Sequence, residues 1–289
     1  MKIIILVPIY NDWQSASKLL EEINSNISGL ECQFSIIIVN DASSDQQSIS
    51  ALNTENLHSI KILNMSENRG HARCIATGLK YLFEKEEFDY VIPMDGDGED
   101  RPEEIKNFVD YLKYTSDKPV VGERVKRSES LFFKFCYGVH KILTFAFTGQ
   151  SIKFGNYTCL PRTTVEKMIN DKAAWSSFSG ALTKIEKDRS TVPSTRGLRY
   201  FGPSKMSFKN LLIHSLAIIS VFKINVLIRS IMFLLVYMFL IHQNISVIML
   251  IPIPLIVLLI ILVFYISKRE SLDEINNSQL NISNIDNIK

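Results

Sequence analysis

The sequence of 289 residues lacks the features that mark several common functional classes. Its four cysteines form no C-x-x-C pair and accompany no histidine cluster, which argues against a zinc site and against a disulfide framework. No G-x-G-x-x-G follows the first apolar run and no P-loop sequence occurs, so neither type of nucleotide site is supported. The formal net charge is only +2, without the basic excess of nucleic-acid-binding proteins. We therefore expect no nucleic-acid partner.

Strand-like and helix-like segments alternate over the first part of the chain. Short apolar runs predict strands at Ile3–Val7, Phe34–Val39, Lys61–Met65, Tyr90–Met94 and Pro119–Gly122. Segments with helical spacing of apolar residues separate most of these runs, which predicts an α/β fold with a mostly parallel sheet covered on both faces. Polar clusters follow four of the strands, at Pro8–Asp12, Asn40–Asp45, Ser66–Arg73 and Asp95–Asp100. Ligands bind at the carboxyl ends of such strands, so we expect the four clusters to converge on one crevice.

Two long apolar stretches near the C-terminus, Asn225–Ile241 and Ile245–Ile266, are separated by three residues. At 1.5 Å per residue they would span about 26 Å and about 33 Å, which predicts an antiparallel transmembrane hairpin rather than two buried helices of a soluble core. Arg229 lies near the start of the first stretch, where its side chain could reach the headgroups. Basic residues flank both ends of the hairpin, which favours a cytoplasmic location for these ends. These residues are Lys223, Arg229, Lys268 and Arg269.

The expected organisation has four parts. Residues 1–205 form a main domain, which we expect in the cytoplasm because the first apolar run is too short for a signal peptide. Residues 206–223 form an interfacial amphipathic helix, 224–267 the hairpin in the lipid bilayer, and 268–289 a flexible cytoplasmic tail. Ser130–Thr148 is either an ordinary amphipathic helix against the core or a second interfacial helix.

The triplet Asp95-Gly96-Asp97 directly follows the predicted strand Tyr90–Met94. Two carboxylates placed in this way can hold a divalent cation, and such a cation can also bridge a diphosphate. An EF-hand is excluded, because Asp100 stands where that loop needs glycine and Lys106 where it needs glutamate. A D-x-D triplet alone is a weak signal, since short acidic turns are common.

The order and spacing of the motifs resemble the family 2 glycosyltransferases, which have a nucleotide-sugar-binding A-type fold. The match rests on V-P-I-Y-N at 7–11, V-N-D-A-S-S-D at 39–45, N-R-G-H-A-R at 68–73, and M-D-G-D at 94–97 followed by Asp100 and Pro102. G-E-R-V-K-R at 122–127 and R-Y-F-G-P-S-K-M at 199–206, together with the apolar hairpin, resemble the dolichol-phosphate mannose synthase-like, or polyprenyl-phosphate glycosyltransferase, branch.

This resemblance implies a set of residue roles. Asp95 and Asp97 would hold Mg²⁺ or Mn²⁺ and act in catalysis. Nucleotide-sugar binding is implied for Pro8, Tyr10 and Asp41 around the base and ribose, for Arg73 near the diphosphate, and for Ser204 in the motif that starts at residue 199. The phosphates of donor and acceptor would be clamped by Arg124, Arg127, Arg199 and Lys205, since guanidinium groups bind phosphate through paired hydrogen bonds.

The sequence also departs from the family pattern. Asn40 precedes Asp41 where paired aspartates are usual, and Asn156 stands where this branch often has G-D-F. No compelling general-base motif occurs between residues 150 and 190, where Glu186 and Asp188 are isolated candidates. A lipid phosphate needs no base because it is already ionised, with a second pKa near ~6.

The predicted function is therefore inverting transfer of a sugar from a nucleotide-sugar donor to a polyprenyl phosphate, at the cytoplasmic side of the cell (inner) membrane. Two alternatives stay open. One is transfer to a hydroxyl group of a lipid-linked or cell-envelope glycan, and the other is a non-catalytic membrane scaffold. Whether the hairpin also makes homo-oligomers is left open by the sequence.

Overall fold

The structure, a computed structural model, describes the chain except residues 46–48, 50–53, 115–116, 127–130, 204–206 and 244, and gives only the backbone of 126, 131–137 and 140. The chain forms two compact units. The first unit comprises Met1–Ser128, Lys153–Lys205 and Ser271–Lys289, and the second comprises Glu129–Ile152 and Met206–Glu270.

The first unit is built on an eight-stranded mixed sheet with the order β7-β5-β6-β4-β1-β2-β3-β8. The strands are β1 (Lys2–Ile9), β2 (Gln33–Asn40), β3 (Leu57–Met65), β4 (Tyr90–Pro93), β5 (Val120–Lys126), β6 (Thr158–Pro161), β7 (Ser190–Thr195) and β8 (Ile282–Asn287). The four central strands β4, β1, β2 and β3 run parallel, and β6 and β8 are antiparallel to their neighbours. The predicted α/β fold class is therefore confirmed.

Helices cover both faces of the sheet. The helices of this unit are α1 (Trp13–Asn26), α2 (His71–Lys85), α3 (Ile105–Leu112), α5 (Arg162–Ile169), α6 (Phe178–Ile185) and α11 (Leu272–Asn276), with α4 and α7–α10 in the second unit. Ile5 on β1 packs in one cluster with Leu19 of α1 and Phe108 of α3. Leu6 points to the opposite face, where a Cβ added at Gly78 of α2 would lie only 2.5 Å from it. This close approach of α2 to the sheet requires glycine at position 78.

Strand register brings the predicted polar clusters to one edge. Ile9 pairs with Asn40, Asn40 pairs with Asn64, and Leu6 pairs with Pro93, so β1, β2, β3 and β4 all end at about the same level. The residues that follow these strands therefore share the carboxyl edge of the sheet, where ligands bind in open α/β folds. The predicted convergence is found for these strand ends.

The C-terminal tail differs from the expectation. Residues 272–287 form α11, a short 3₁₀ turn at Ser278–Asn281, and β8, which pairs antiparallel with β3. Ile275 of α11 is fully buried. The prediction of a flexible tail is therefore wrong for this segment, because β8 satisfies the hydrogen-bonding groups along the otherwise unpaired edge of β3.

The second unit contains the apolar helices. They are α4 (Leu131–Thr148), α7 (Phe208–Ser220), α8 (Lys223–Ile241), α9 (Val247–Leu250) and α10 (Pro252–Ser267). By length and composition, two helical segments could cross a membrane, Lys223–Ile241 and Val247–Asn276, and only 11% of the most apolar window in each is buried. The predicted boundary of a main domain at 1–205 needs one correction, because α4 groups with these helices.

Arg229 contacts the end of α4. Its guanidinium donates a hydrogen bond to the carbonyl oxygen of Ala146 at 3.3 Å and lies against Gly149, just after the last turn of α4. Asn225 donates to the carbonyl of Thr148 at 3.1 Å. These two side chains of α8 satisfy carbonyl groups that a helix end leaves unpaired, and the positive charge also favours that end of the helix dipole. Arg229 thus caps the C-terminal end of α4.

The paired tail makes a testable prediction. Ile60 and the last two residues exchange backbone hydrogen bonds, with the amides of Ile288 and Lys289 both donating to the Ile60 carbonyl. We expect peptides covering residues 282–289 to show amide hydrogen exchange that is at least about tenfold slower than that of an unstructured peptide of the same sequence, because backbone pairing protects amides. Exchange at the unstructured rate would contradict the strand.

Candidate active site

A tight acidic turn follows β4. The amide of Asp95 donates to Oδ2 of Asp100 at 3.0 Å, and the amide of Glu99 donates to Oδ1 of Asp97 at 3.0 Å. Gly98 between them has φ +88°, a left-handed conformation that favours glycine. The turn is thus held by its own carboxylates, with Asp100 buried at 4% exposure beneath it.

Residues 197–200 lie over this turn. The amide of Gly197 donates to the carbonyl of Glu99 at 2.8 Å, and the amide of Tyr200 donates to the carbonyl of Asp97 at 2.9 Å. The Tyr200 ring covers Gly98 so closely that a Cβ there would lie 2.4 Å from a ring carbon. Glycine at position 98 therefore serves both the turn and the segment packed on it.

Arg199 joins Asp97 in a partly buried ion-pair network. Its guanidinium donates to Oδ2 of Asp97 at 2.8 Å, to the carbonyl of Phe201 at 2.9 Å, and also to the carboxylate of Asp12. The arginine side chain is only 13% exposed. The structure thus brings together two predicted site residues that are 102 positions apart, and adds Asp12 to them.

His71 and Asn156 hold the other side of the turn. Nε2 of His71 lies 3.2 Å from Oδ1 of Asp95, and Nδ2 of Asn156 donates to the same oxygen at 3.2 Å. Nδ2 of Asn156 also lies 2.7 Å from Nε2 of His71. An aspartate at position 156 would place a second carboxylate against Asp95, whereas the amide of asparagine donates to it. Asn156, which departs from the G-D-F pattern, therefore lies in the acidic turn and donates to Asp95.

Burial and crowding shift the acid–base properties of the turn. Desolvation and the charge of Asp95 raise the pKa of Asp97 to about 6 and the pKa of Asp100 to about 7. Desolvation also works to raise the pKa of Asp95, but the charge and hydrogen bond of His71 outweigh it and hold that pKa well below its usual range. Asp95 in turn raises the pKa of His71 against the effect of desolvation. The turn therefore concentrates negative charge, which favours a cation.

Arg124 supplies positive charge to the same place. It lies on β5. Its positive charge contributes to the low pKa of Asp95 and offsets part of the rise in the pKa of Asp100. Its guanidinium rests against Gly155, where an added Cβ would lie 2.7 Å from a guanidinium nitrogen. The predicted residues Asp95 and Arg124 are thus electrostatically coupled.

The loops after β1 and β2 interlock at the same sheet edge. The amide of Asn11 donates to Oγ of Ser43 at 2.8 Å, and the amide of Ser44 donates to Oδ1 of Asn11 at 2.8 Å. The buried carboxylate of Asp41 accepts hydrogen bonds from the amides of Arg69 at 2.7 Å and Gly70 at 2.9 Å. Asp41 therefore ties the start of α2 to the end of β2.

The remaining predicted residues are placed as follows. Pro8 is buried within β1, and Tyr10 beyond it is 44% exposed. Arg73 lies on the first turn of α2, with its guanidinium carbon 5.6 Å from the centre of the Trp175 ring. Three predicted residues lie outside the described part of the chain: Arg127, Ser204 and Lys205.

Neither candidate base lies in the acidic turn. Glu186 accepts hydrogen bonds from Thr164 at 3.1 Å and from Lys167 at 2.7 Å, and Asp188 forms an ion pair with Lys118.

The contacts of Asp12, His71 and Asp100 were not predicted from the sequence, although all three residues fall inside the polar clusters that follow the strands. Within the described residues, no group of three or more His, Cys, Asp or Glu side chains forms a ready metal cage.

Comparison with known proteins places the chain among glycosyltransferases. Residues 4–171 match the profile of Glycosyl transferase family 2. Curated relatives include the undecaprenyl-phosphate 4-deoxy-4-formamido-L-arabinose transferases of Salmonella newport (strain SL254) and Salmonella heidelberg (strain SL476), each 29% identical over 219 residues. The matched region covers 73% of this chain and 64% of each relative, so the chain spans less than two thirds of their length.

Solved structures share the fold. The glucosyl-3-phosphoglycerate synthase of Mycobacterium tuberculosis, in complex with Mn²⁺, UDP and glucosyl-3-phosphoglycerate, superposes with a TM-score of 0.55 at 13% identity, covering 78% of this chain and 79% of its own. S. aureus TarS in complex with UDP-GlcNAc superposes with a TM-score of 0.51 at 13% identity, covering 80% of this chain and 70% of its own. At this identity the similarity establishes the architecture alone.

The raised pKa of Asp100 predicts a pH-dependent effect on stability. A buried carboxyl whose folded pKa of about 7 exceeds its unfolded value of about 4 stabilises the fold in its protonated form, and this contribution is lost as the pH rises to 7 and above. In EDTA, we expect the variant D100N to melt several degrees above the wild type at pH 8 and at about the same temperature near pH 4, measured by intrinsic fluorescence. The amide oxygen can still accept the hydrogen bond from Asp95.

The exposed Asp110 provides the matched control. It pairs with Lys106 and Lys113, and the hydrogen bonds of these lysines lower its pKa. The variant D110N should therefore bring no gain at pH 8. A D100N melting temperature equal to that of the wild type at pH 8 would contradict the raised pKa.

Proposed function

This chain belongs to glycosyl transferase family 2, and we propose that it transfers a sugar from a nucleotide-sugar donor to a polyprenyl phosphate in a lipid bilayer. The observation that carries the proposal is the acidic turn Asp95–Asp100 at the carboxyl edge of the sheet, with Arg124 and Arg199 beside it. Clustered carboxylates for a cation and guanidinium groups for phosphates are what a nucleoside diphosphate donor requires.

A divalent cation, Mg²⁺ or Mn²⁺, fits the donor set. Asp95 and Asp97 offer hard carboxylate oxygens. Desolvation and the charge of Asp95 raise the pKa of Asp97, and a cation would favour its ionised form. These two side chains would hold the ion, with Asp97 the more direct ligand. When bound, the ion would neutralise charge on the departing nucleoside diphosphate.

The chain's own residues supply the rest of the reaction. Arg199 is held at Asp97 and Arg124 near Asp95, so both can donate to phosphate oxygens at the turn. Asp41, Pro8 and Tyr10 would frame the base and ribose of the donor, and Arg73 would lie near the diphosphate. We propose that Arg127, Ser204 and Lys205, in the motifs that flank this site, complete the phosphate contacts.

The acceptor is inferred from chemistry and from the relatives. An ionised phosphate oxygen can attack the anomeric carbon without a base, with inversion and departure of the nucleoside diphosphate. The ion pairs of Glu186 and Asp188 support this route, since neither side chain is presented at the turn. The Salmonella relatives are named undecaprenyl-phosphate 4-deoxy-4-formamido-L-arabinose transferases, and this name points to the same class of acceptor.

The location of the enzyme follows from the apolar helices. Two helical segments are long and apolar enough to span a bilayer, and their flanking basic residues favour the cytoplasmic side for both ends. We propose a multi-pass protein of the inner membrane with residues 1–205 in the cytoplasm. A homo-oligomer would be compatible with this arrangement. A hydroxyl acceptor and a non-catalytic scaffold remain as outcomes of the tests below.

Asp97 offers the first test. Purified chain in detergent is incubated with Mn²⁺, labelled nucleotide sugars and undecaprenyl phosphate, and label is counted in the organic phase. We expect D97N to lower turnover by about 10²-fold or more, because a contact that stabilises leaving-group charge is lost. The control D110N should keep wild-type turnover. Equal turnover of D97N and wild type would contradict the assigned role, and label confined to water-soluble products would contradict the acceptor.

The acceptor class is tested separately at the two candidate bases. With undecaprenyl phosphate, we expect E186Q and D188N each to keep kcat within about twofold of the wild type, since no base is needed. Loss of most turnover in either variant, with an unchanged melting temperature, would contradict transfer without a general base.

A further inference from the structure

A line of side-chain hydrogen bonds crosses the sheet from the C-terminal strand to the end of β2. Nδ2 of Asn64 donates to Oδ2 of Asp286 at 2.8 Å, and Nδ2 of Asn40 donates to Oδ1 of Asn64 at 2.8 Å. Oδ1 of Asn40 then accepts from the amide of Ser43 at 3.1 Å. We call the side chains of Asp286, Asn64 and Asn40 the amide relay.

The two ends of the amide relay fix its direction. The ionised carboxylate of Asp286 can only accept a hydrogen bond, and the backbone amide of Ser43 can only donate one. Each asparagine between them must therefore turn its NH₂ group toward β8 and its oxygen toward Ser43. Asn40 is only 8% exposed, so a mismatch in this line leaves a buried polar group unpaired.

The amide relay ends in the loop that carries Asp41. Ser43 accepts the hydrogen bond of Asn11, and Ala42 between Asp41 and Ser43 has φ +54°, a left-handed conformation that the loop must hold in place. This loop, residues 41–45, begins with Asp41, which is assigned above to the base and ribose of the donor. A shift of Ser43 would therefore be felt at Asp41 and Asn11.

The C-terminal segment reaches Asp41 by a second path. Glu274 forms an ion pair with Arg69 at 3.3 Å, and the carbonyl of Asn281 accepts from the amide of Ser66 at 2.8 Å. The amide of Arg69 is one of the two that donate to Asp41. Residues 271–289 thus contact both loops that meet at this carboxylate.

We propose that Ser271–Lys289 is a positioning element for the donor-binding loop 41–45, and that the amide relay transmits its effect. The idea rests on the proposed function, because that function makes the loop a nucleotide site. It also explains why position 40 is asparagine. An aspartate at position 40 could accept a hydrogen bond from Asn64 only if the side-chain amide of Asn64 rotated by about 180°. The Asn64 oxygen would then face the carboxylate of Asp286.

A reversal of polarity tests this inference. At pH 8, we expect N40D to raise the donor KM about tenfold while kcat changes less than about twofold. The variant D286N alone should stay within about twofold of the wild type, because the new amide can still accept through its oxygen. In N40D/D286N, Asn64 can turn over and every contact is paired again, so donor KM should return to within about threefold of the wild type. The exposed Asp273 provides the control D273N, which should rescue nothing when combined with N40D.

Dissociation constants for UDP and GDP with Mn²⁺, measured by calorimetry, and melting temperatures complete the design. Equal impairment of N40D and N40D/D286N would overturn the amide relay. A lower melting temperature of N40D with an unchanged donor KM would make the contact merely structural and would also overturn the proposal. If the wild type binds neither diphosphate and transfers no sugar, the proposed function fails and the positioning role fails with it. The melting temperatures of the four proteins would still show whether residues 40 and 286 are coupled.

Discussion

The site depends on how the fold accommodates three aspartates in one six-residue turn that also contains Glu99. Asp95, Asp97 and Asp100 follow a buried strand and lie close enough that Asp95 raises the pKa of the other two. Such crowding is costly unless positive charge or hydrogen-bond donors compensate it. The surrounding structure supplies part of that compensation. A divalent cation at the turn would supply more, and it could also bridge a diphosphate.

The compensating groups come from distant parts of the chain. His71 is delivered by the start of α2, Asn156 by the segment before β6, and Arg199 by the segment after β7. Each of these segments is placed by the sheet, whose parallel central strands end at a common edge. Gly98 allows the segment around Tyr200 to pack directly on the turn.

Much of the fold and part of the site could be predicted from the sequence. Continuous β-branched runs identify the central strands, and the strand ends bring Asp41 and Asp95 to one edge because parallel strands share their carboxyl side. The pairing of Asp97 with Arg199 joins two predicted residues, but their direct contact depends on tertiary packing. The contact of Asn156 with Asp95 could not be foreseen, since the family pattern suggested only a missing carboxylate.

The tail shows why the rest escaped prediction. The segment 282–287 has neither regular alternation nor a long apolar run, so its own sequence carries no strong strand signal. The segment forms a strand because it pairs with the edge of β3, which lies more than 200 positions earlier in the chain. The capping of α4 by Arg229 is similar, because its carbonyl partner at Ala146 lies 83 positions earlier in the chain.

The central claim is that the acidic turn binds a divalent cation together with a nucleoside diphosphate. Electron paramagnetic resonance of Mn²⁺, titrated into the full chain in detergent with UDP or GDP present, tests it without relying on turnover. The account predicts one bound Mn²⁺ per chain in the wild type and in D110N, and loss of that binding in the double variant D95N/D97N. Mn²⁺ binding that is unchanged in D95N/D97N would contradict it.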